Sequence, residues 1–283
     1  MAPIEYDKRD ESKGPETYGS QSLLDTIFQA TELENFQGNA VVIDLMSGPG
    51  GIALSLQKKA PQHSYAVLDN NQGQLDKIGK QEPVAKIFAD VKDLSAVVQS
   101  ESVDTITVRY GIKDIPEDQQ PQVLRSVNHV LKPGGVFVLT DMISPEGMEE
   151  WTNMQHSKKQ QLGGRIIQEE GECHIPTEQG WLKLLKEAGF QTEVFGYYTS
   201  PVSPKVWATG NQLGDPVTEP EEVARKTVIM NEILLAASGE VKKQFNIREE
   251  NGEVKIDFPV VIIRAVKPEI KGLLTSGVIY ATK

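Results

Sequence analysis

Short apolar runs rich in β-branched residues alternate with helix-compatible stretches through the first half of the chain. Five runs predict strands: AVVIDLM (40–46), YAVLD (65–69), AKIFAD (85–90), VDTITVRY (103–110) and VFVLTD (136–141). Nearly continuous apolar strands that alternate with helices are typical of a parallel sheet covered by helices on both faces. The pattern therefore predicts an α/β fold with a doubly wound sheet.

The pattern changes after residue 141. Four more segments stand out: an extra helix at 146–160, an amphipathic helix at 177–190, a strand at 191–198 and a last strand at 259–266. Because the sheet resumes after it, we interpret residues 199–257 as an insertion. We expect a single main domain over 37–283, with insertions at about 142–165 and 199–257. Residues 1–36 are expected to form an N-terminal arm and helix that act as a lid.

Composition narrows the class of protein. The net charge is −11 and no basic stripe is present, which disfavours a nucleic-acid partner. The single Cys173 excludes an internal disulfide, and the four histidines lack ligand spacing, so no metal is expected. No apolar run has the length of a membrane span, and the N-terminus lacks a secretory pattern. We expect a cytoplasmic protein that acts on a small molecule away from membranes.

A glycine-rich turn follows the first predicted strand. Gly48, Gly50 and Gly51 stand where that strand gives way to a helix, so backbone could approach a ligand there. The segment from Gly48 to Ala53 matches G-x-G-x-x-A, and Asp69 follows about 20 residues later, as in dinucleotide-binding proteins. This motif alone is compatible with an NAD-dependent oxidoreductase and also with an ordinary tight turn that binds no ligand.

Further carboxylates favour another ligand. Asp44 lies three residues before the turn. A carboxylate there offers no favourable contact to a pyrophosphate, but it could pair with the amino group of a ligand. Asp90 ends the third predicted strand. LKPGG (131–135) launches the fifth strand. This set of residues, in this order, resembles the class I S-adenosylmethionine-dependent methyltransferases.

The resemblance implies a Rossmann-like, seven-stranded sheet whose last strand is antiparallel, with helical lid insertions and S-adenosyl-L-methionine as the cofactor. It assigns the cofactor site to Asp44, Ser47, Gly48, Gly50, Asp69, Asn70, Asp90, Val91, Arg109 and Tyr110. Asp69 would accept both ribose hydroxyls, and Asp90 with Val91 would hold the adenine edge. Two residues depart from the family pattern: Met46 replaces a glycine, and Gln74 replaces a methionine near the adenine.

Methyl transfer from a sulfonium needs alignment and exclusion of water more than a catalytic triad. Asp141 at the end of the fifth strand is the first candidate base, and His156 is the second. Cys173 is interpreted as structural. Residues that could roof an apolar pocket, or simply pack, are Tyr18, Trp151, Met154, His156 and Trp207.

The acidic charge and the added lid segments favour a small, fairly apolar acceptor. In its length and its large insertion, the chain resembles methyltransferases of fungal secondary metabolism. Within that group we favour S-methylation of a dithiol, as in enzymes that cap gliotoxin-type diketopiperazines. O- or N-methylation of another natural product or a quinone stays open. RYGI (109–112) resembles the quinone-methylating branch. A cofactor-binding protein without turnover and a cyclase with the same fold are further alternatives.

Overall fold

A computed structural model of the chain describes residues 21–162, 173–208 and 219–269, with the side chain of residue 207 excepted. The strands are β1 Val41–Leu45, β2 Ser64–Asp69, β3 Val84–Phe88, β4 Val103–Arg109, β5 Leu131–Met142, β6 Gln191–Val202, β7 Arg248–Glu250 and β8 Glu253–Val266. The α-helices are α1 Gln21–Thr31, α2 Gly51–Lys59, α3 Gln72–Asp76, α4 Leu94–Val97, α5 Gln120–Val130, α6 Glu149–Leu162, α7 Glu178–Glu187, α8 Pro204–Ala208, α9 Pro220–Leu235 and α10 Gly239–Gln244. None of the helices within these ranges has both the length and the apolar character needed to cross a bilayer.

The strands form one sheet in the order β3-β2-β1-β4-β5-β8-β6, and β7 pairs with β8. Strands β1 to β5 are parallel, whereas β8 runs antiparallel between β5 and β6. The predicted Rossmann-like α/β fold with an antiparallel last strand is confirmed. The short strand β7 is an addition to the seven predicted strands.

The sheet extends into both ends of the predicted insertion 199–257. Strand β6 continues to Val202 and β8 begins at Glu253, so that Val202 pairs with Ile256. Alternate residues of β8, including Val254 and Ile256, are buried, which is the period of a strand with one covered face. The segment that leaves the sheet is therefore shorter than the sequence pattern indicated.

Two apolar layers cover the sheet. Neighbouring β1 residues Val42 and Ile43 point into different layers, because successive strand side chains face opposite sides. Helix α1 belongs to one layer, where Leu23 and Ile27 are fully buried beside Val42. This helix is thus part of the core, and residues 1–20 of the predicted arm lie outside the described residues.

Candidate functional site

The turn between β1 and α2 lies at the carboxyl edge of the parallel strands. Its backbone is left-handed at three positions: Met46 (φ 49°), Gly48 (φ 53°) and Gly50 (φ 76°). The amide of Ser47 donates to the carbonyl of Leu68 in β2 (3.1 Å), which fixes the turn against the neighbouring strand. Met46 therefore occupies a conformation that favours glycine.

Glycine is required at two places in this turn for different reasons. A Cβ on Gly50 would lie 2.9 Å from the buried Ile78 Cδ1, so this glycine lets α2 approach the sheet. A Cβ on Gly48 would meet nothing within 4 Å. The space beside Gly48 is open, and a ligand could reach the backbone there.

Asp69 at the end of β2 ties the turn together. One carboxylate oxygen, Oδ2, accepts a hydrogen bond from the Gly48 amide (2.7 Å), and Oδ1 accepts one from the Asn71 amide (2.8 Å). The side chain is buried, yet each oxygen keeps a second lone pair for a hydroxyl donor. The predicted ribose contact stays a prediction, and the structure adds an organising role for Asp69.

Asp44 lies beneath the turn inside β1. Its Oδ1 accepts from the Thr107 hydroxyl (2.8 Å) and its Oδ2 from the Ala53 amide (3.3 Å). Burial raises the pKa of Asp44 to about 6, although the Thr107 hydrogen bond and the charge of Arg109 oppose that rise. An additional cationic partner would stabilise this carboxylate, which is what a ligand amino group offers.

The other predicted cofactor residues follow the ends of β2, β3 and β4. Asp90 caps a 3₁₀ turn at Val91–Asp93, where it accepts from the Lys92 amide (2.9 Å), and Val91 is buried beneath it. Asn70 is exposed; it is the next residue, Asn71, whose side chain caps α3.

Arg109 and Tyr110 stand where β4 ends. The Arg109 guanidinium lies 5.7 Å from the centre of the Tyr110 ring, and Tyr110 adopts a left-handed φ of 58°. Burial raises the pKa of the Tyr110 phenol above its ordinary value, so it stays neutral.

The residues around the turn fit S-adenosylmethionine. Within the described part of the chain, the Ser47 hydroxyl is buried and has no hydrogen-bond partner. Ser47 directly precedes Gly48, which has open space beside it and whose amide donates to Asp69. A buried unpaired hydroxyl costs free energy, so a ligand that bonds to it gains affinity. Ser47, Gly48, Asp44 and Asp69 would hold such a ligand.

A second polar cluster, here called the α6 network, lies beyond the end of β4. Its centre is Asp114, whose Oδ1 accepts from His156 Nε2 (2.9 Å) and Gln160 Nε2 (2.7 Å). The other oxygen, Oδ2, pairs with Lys113 Nζ at 2.6 Å, and the Cys173 thiol donates to the Asp114 carbonyl (3.2 Å). His156 and Cys173 are both buried.

Ionisation in this cluster follows from burial and charge. Burial lowers the pKa of His156 to about 4, helped by the charge of Lys159 and opposed by Asp114. Burial favours neutral Asp114, but Lys113 and His156 outweigh it and hold the pKa of that carboxyl well below its ordinary value. At neutral pH, neutral His156 therefore donates to an ionised Asp114.

Asp141, the first candidate base, borders this cluster. Its Oδ1 accepts from the Met142 amide (2.8 Å) and its Oδ2 from the Lys113 amide (3.3 Å), and the side chain has no exposed surface. Burial raises the pKa of Asp141 to about 7, although the Lys113 ammonium opposes the rise. The role of Asp141 as a base stays a prediction, as does that of His156.

Sequence reasoning missed the partners of His156. Lys113, Asp114 and Gln160 carry no motif, and His156 and Asp114 are 42 residues apart in the chain. One signal was present: Thr152, His156 and Gln160 recur every fourth residue in α6, and all three are buried. A polar stripe on the buried face of a helix indicates a hydrogen-bonded network.

The same cluster brings together atoms that can ligate metals. Donor atoms of Asp114, His156 and Cys173 lie within 4.8 Å of one another, which the sequence spacing did not suggest. However, these atoms already bond to one another or to backbone, and the Lys113 ammonium is paired with the same carboxylate. A further dication would be repelled by that ammonium, so hydrogen bonding accounts for the cluster.

The residues that were predicted to roof an apolar pocket lie in different environments. Trp151 packs against Phe245, with ring centres 4.9 Å apart, as part of an apolar core. Met154 is exposed. Tyr18 and the side chain of Trp207 lie outside the described residues.

Residues 42–135 match the family model described as methyltransferase domain. Over this third of its length, the chain is similar to methyltransferase domains. The matched range begins in β1 and ends in β5, so it includes the glycine turn together with Asp44, Asp69 and Asp90. The α6 network lies partly beyond it, because His156 and Cys173 follow residue 135.

The chain is also similar to other proteins in sequence and to solved structures in fold. The chain is 23% identical over 179 residues to ubiquinone/menaquinone biosynthesis C-methyltransferase UbiE of Bartonella tribocorum, a match that covers 57% of this chain and 68% of that protein. The corresponding protein of Geotalea daltonii is 26% identical, and the chain spans only 47% of its length. The YcgJ protein of Bacillus subtilis has the same fold, with a TM-score of 0.69, 19% identity and coverage of 87% of this chain and 98% of that one.

Proposed function

We propose that the protein is an S-adenosylmethionine-dependent methyltransferase that methylates a small, fairly apolar molecule. The observation that carries the proposal is the similarity of residues 42–135 to methyltransferase domains, in a range that contains the open glycine turn and its carboxylates. When bound, S-adenosylmethionine supplies a methyl group already activated by the sulfonium. The chain's own task is to bind, align and exclude water.

The cofactor residues have distinct tasks in this proposal. Asp69 holds the glycine turn and offers its remaining lone pairs to ribose hydroxyls. Asp44 faces the amino group, which offsets the cost of its burial. Asp90 and Val91 hold the adenine edge, and Arg109 with Tyr110 borders the reacting group.

For the acceptor, we propose a secondary metabolite that is methylated on sulfur, such as a dithiol diketopiperazine. A thiol ionises near pH 8.5 and needs only modest help to become a nucleophile. A second candidate, C-methylation of a quinone precursor, is supported by the relationship to the UbiE proteins.

Calorimetry with S-adenosylhomocysteine and with NAD tests the cofactor. Micromolar binding of S-adenosylhomocysteine without NAD binding is the expected result. NAD binding alone would overturn the proposal in favour of an oxidoreductase. Transfer of a labelled methyl group to thiol, phenol or amine acceptors then separates a methyltransferase from a cyclase or a binding protein, neither of which incorporates label.

Asp141→Asn tests the base. If Asp141 takes the acceptor proton, turnover should fall and its pH dependence near pH 7 should disappear, because the pKa of this carboxyl is raised to about 7. Unchanged turnover across pH would remove Asp141 from the chemistry.

A further inference from the structure

Met46 differs from its neighbours in the glycine turn, because it places a side chain at a left-handed backbone position. Its φ is 49°, and the residues that share this conformation in the turn are Gly48 and Gly50. A left-handed φ costs free energy in a residue with a Cβ, and such strain persists only where the surroundings fix the residue. The packing of the Met46 side chain is therefore part of what holds the turn.

The Met46 side chain lies against Gly111, in the loop that follows β4. A Cβ on Gly111 would lie 2.7 Å from Met46 Sδ and 3.0 Å from Met46 Cβ. The φ of Gly111 is −107°, which other residues adopt without strain, so crowding by the methionine is what requires a glycine there. The glycine turn and the β4 loop are thus in contact at the sulfur atom of Met46.

The two residues after Met46 make the contacts that shape the proposed cofactor site. The Ser47 amide donates to the Leu68 carbonyl (3.1 Å), which ties the turn to β2. The Gly48 amide donates to Asp69 Oδ2 (2.7 Å). Because these amides follow Met46 directly along the chain, a change in the backbone of Met46 would move both of them.

The thioether of Met46 is also within reach of solvent. Met46 is partly exposed, whereas Met142 and Met230 are buried. Met154 is more exposed, at 47%, but it lies in α6 and not in the turn. Hydroperoxides oxidise an accessible thioether to a polar sulfoxide. Met46 therefore places an oxidisable group inside the turn.

We propose that Met46 is a redox-sensitive site, at which oxidation by a hydroperoxide such as hydrogen peroxide weakens the binding of S-adenosylmethionine. The sulfur takes one peroxide oxygen: an S–O bond forms, the O–O bond breaks, and the proton of the transferred oxygen passes to the departing hydroxide, which leaves as water. The thioether loses two electrons and the peroxide gains them. This inference rests on the proposed methyltransferase function and adds regulation of the same site.

The sulfoxide does not fit the packing that Met46 has in the structure. On the side of Gly111, the sulfur has no room for another atom, because even a methyl group there would lie 2.7 Å away. Met46 also packs against an apolar cluster that includes Val108 and Ile112, where a polar S–O group is unfavourable. Both effects favour displacement of the side chain. The strained backbone can then relax, and the Gly48 amide moves away from its partner.

Limited treatment with hydrogen peroxide tests the site, with S-adenosylhomocysteine as the probe. Peptide mass spectrometry measures the fraction of Met46 that is oxidised, and calorimetry measures the affinity. Oxidation of Met46 should lower the affinity of the wild type about tenfold or more, because a hydrogen bond to the Asp69 carboxylate is weakened. Methionine sulfoxide reductases A and B together should restore the affinity, since each reduces one epimer of the sulfoxide.

Variants assign the effect to one sulfur atom. Leucine has a volume similar to that of methionine but cannot be oxidised, so Met46→Leu should have the same affinity before and after peroxide treatment. Met46→Gln is polar without any oxidation and should bind S-adenosylhomocysteine more weakly than Met46→Leu. Met154→Leu is the matched control and should respond to peroxide as the wild type does. Cys173 is present in all of these proteins, so its oxidation cannot produce a difference among them.

The outcomes separate this inference from the proposed function. A reversible loss of affinity in the wild type that is absent in Met46→Leu supports the site. The inference is overturned if oxidised Met46 leaves the affinity unchanged, if Met46 stays reduced while Met154 is oxidised, or if Met46→Leu loses as much affinity as the wild type. In each of these cases the proposed function stands, because the untreated protein binds S-adenosylhomocysteine. An untreated wild type that does not bind it counts against the proposed function and removes the inference with it.

Discussion

The glycine turn and the α6 network are both organised by a carboxylate, but the partners of the two carboxylates differ. Asp69 is bonded to two backbone amides, one of which follows it by two residues. Asp114 is bonded to the side chains of Lys113, His156 and Gln160, two of which come from a distant helix. Backbone partners leave a sequence signature of glycines and acids, whereas side-chain partners from separate elements leave almost none.

The difference also separates their expected energetics. Hydrogen bonds to backbone amides hold the glycine turn in one conformation. Substitutions that break these bonds should therefore weaken cofactor binding strongly. A side-chain network can re-form partly around a substitution, so its residues should affect ionisation within the network instead.

The largest expected effect is on cofactor affinity. Asp69→Ala removes two charge-assisted hydrogen bonds from the turn and the acceptor proposed for ribose, so affinity for S-adenosylhomocysteine should fall about a hundredfold or more. Calorimetry measures it. Asp76→Ala, at an exposed position of α3, is the control and should bind normally. Equal affinities would mean that Asp69 is not part of the cofactor site.

The next effect is on stability. Gly50→Ala would strain a left-handed residue and place a methyl group 2.9 Å from buried Ile78, so the free energy of unfolding should fall by about 2 kcal/mol. Gly51→Ala is the matched control, because its Cβ would meet nothing within 4 Å and it opens α2. Denaturant unfolding compares them, and equal losses would contradict the packing argument.

These glycines show why much of the fold was predictable. The succession of β1 to β5 along the chain follows from apolar runs, and the glycine turn follows from a local motif. Both signals are contained in short, continuous stretches of sequence. The sequence analysis ended β6 before Val202, because Pro201 and the following prolines favour the end of a strand. In the structure, Val202 is nevertheless paired with β8.

The α6 network could not be predicted in the same way. Lys113 and Asp114 belong to a 3₁₀ turn without a motif, and their partners follow more than 40 residues later. The only signal in the sequence was that His156 and Gln160, four residues apart, both lie on the buried face of α6 and therefore need polar partners. Only the packing of α6 against the turn that contains Lys113 and Asp114 brings these side chains together.

A further effect should appear in the pH dependence of stability. His156 has its pKa lowered to about 4 in the folded protein, against about 6.5 when unfolded, so the unfolded state binds more protons between these values. Stability from neutral His156 is complete above pH 6.5 and is lost as pH falls towards 4.

His156→Gln isolates this contribution, because glutamine does not titrate. Relative to the variant, the wild type should lose about 3 kcal/mol of unfolding free energy between pH 7 and pH 4. Asp44 and Asp141 have raised pKa values and produce the opposite slope, but they are present in both proteins and cancel in the comparison. Parallel profiles for the two proteins would show that His156 is not buried as a neutral base.

The smallest expected effect tests whether the two regions are independent. The Gly48–Asp69 contact and the His156–Asp114 contact share no hydrogen-bond partner among the described contacts. Combining Gly48→Ala with His156→Gln should therefore change the free energy of unfolding by the sum of the single changes, within about 0.5 kcal/mol. A larger coupling would mean that strain is transmitted from the glycine turn to the α6 network. In that case cofactor binding would itself change the ionisation of the α6 network, and the two regions would act as one site.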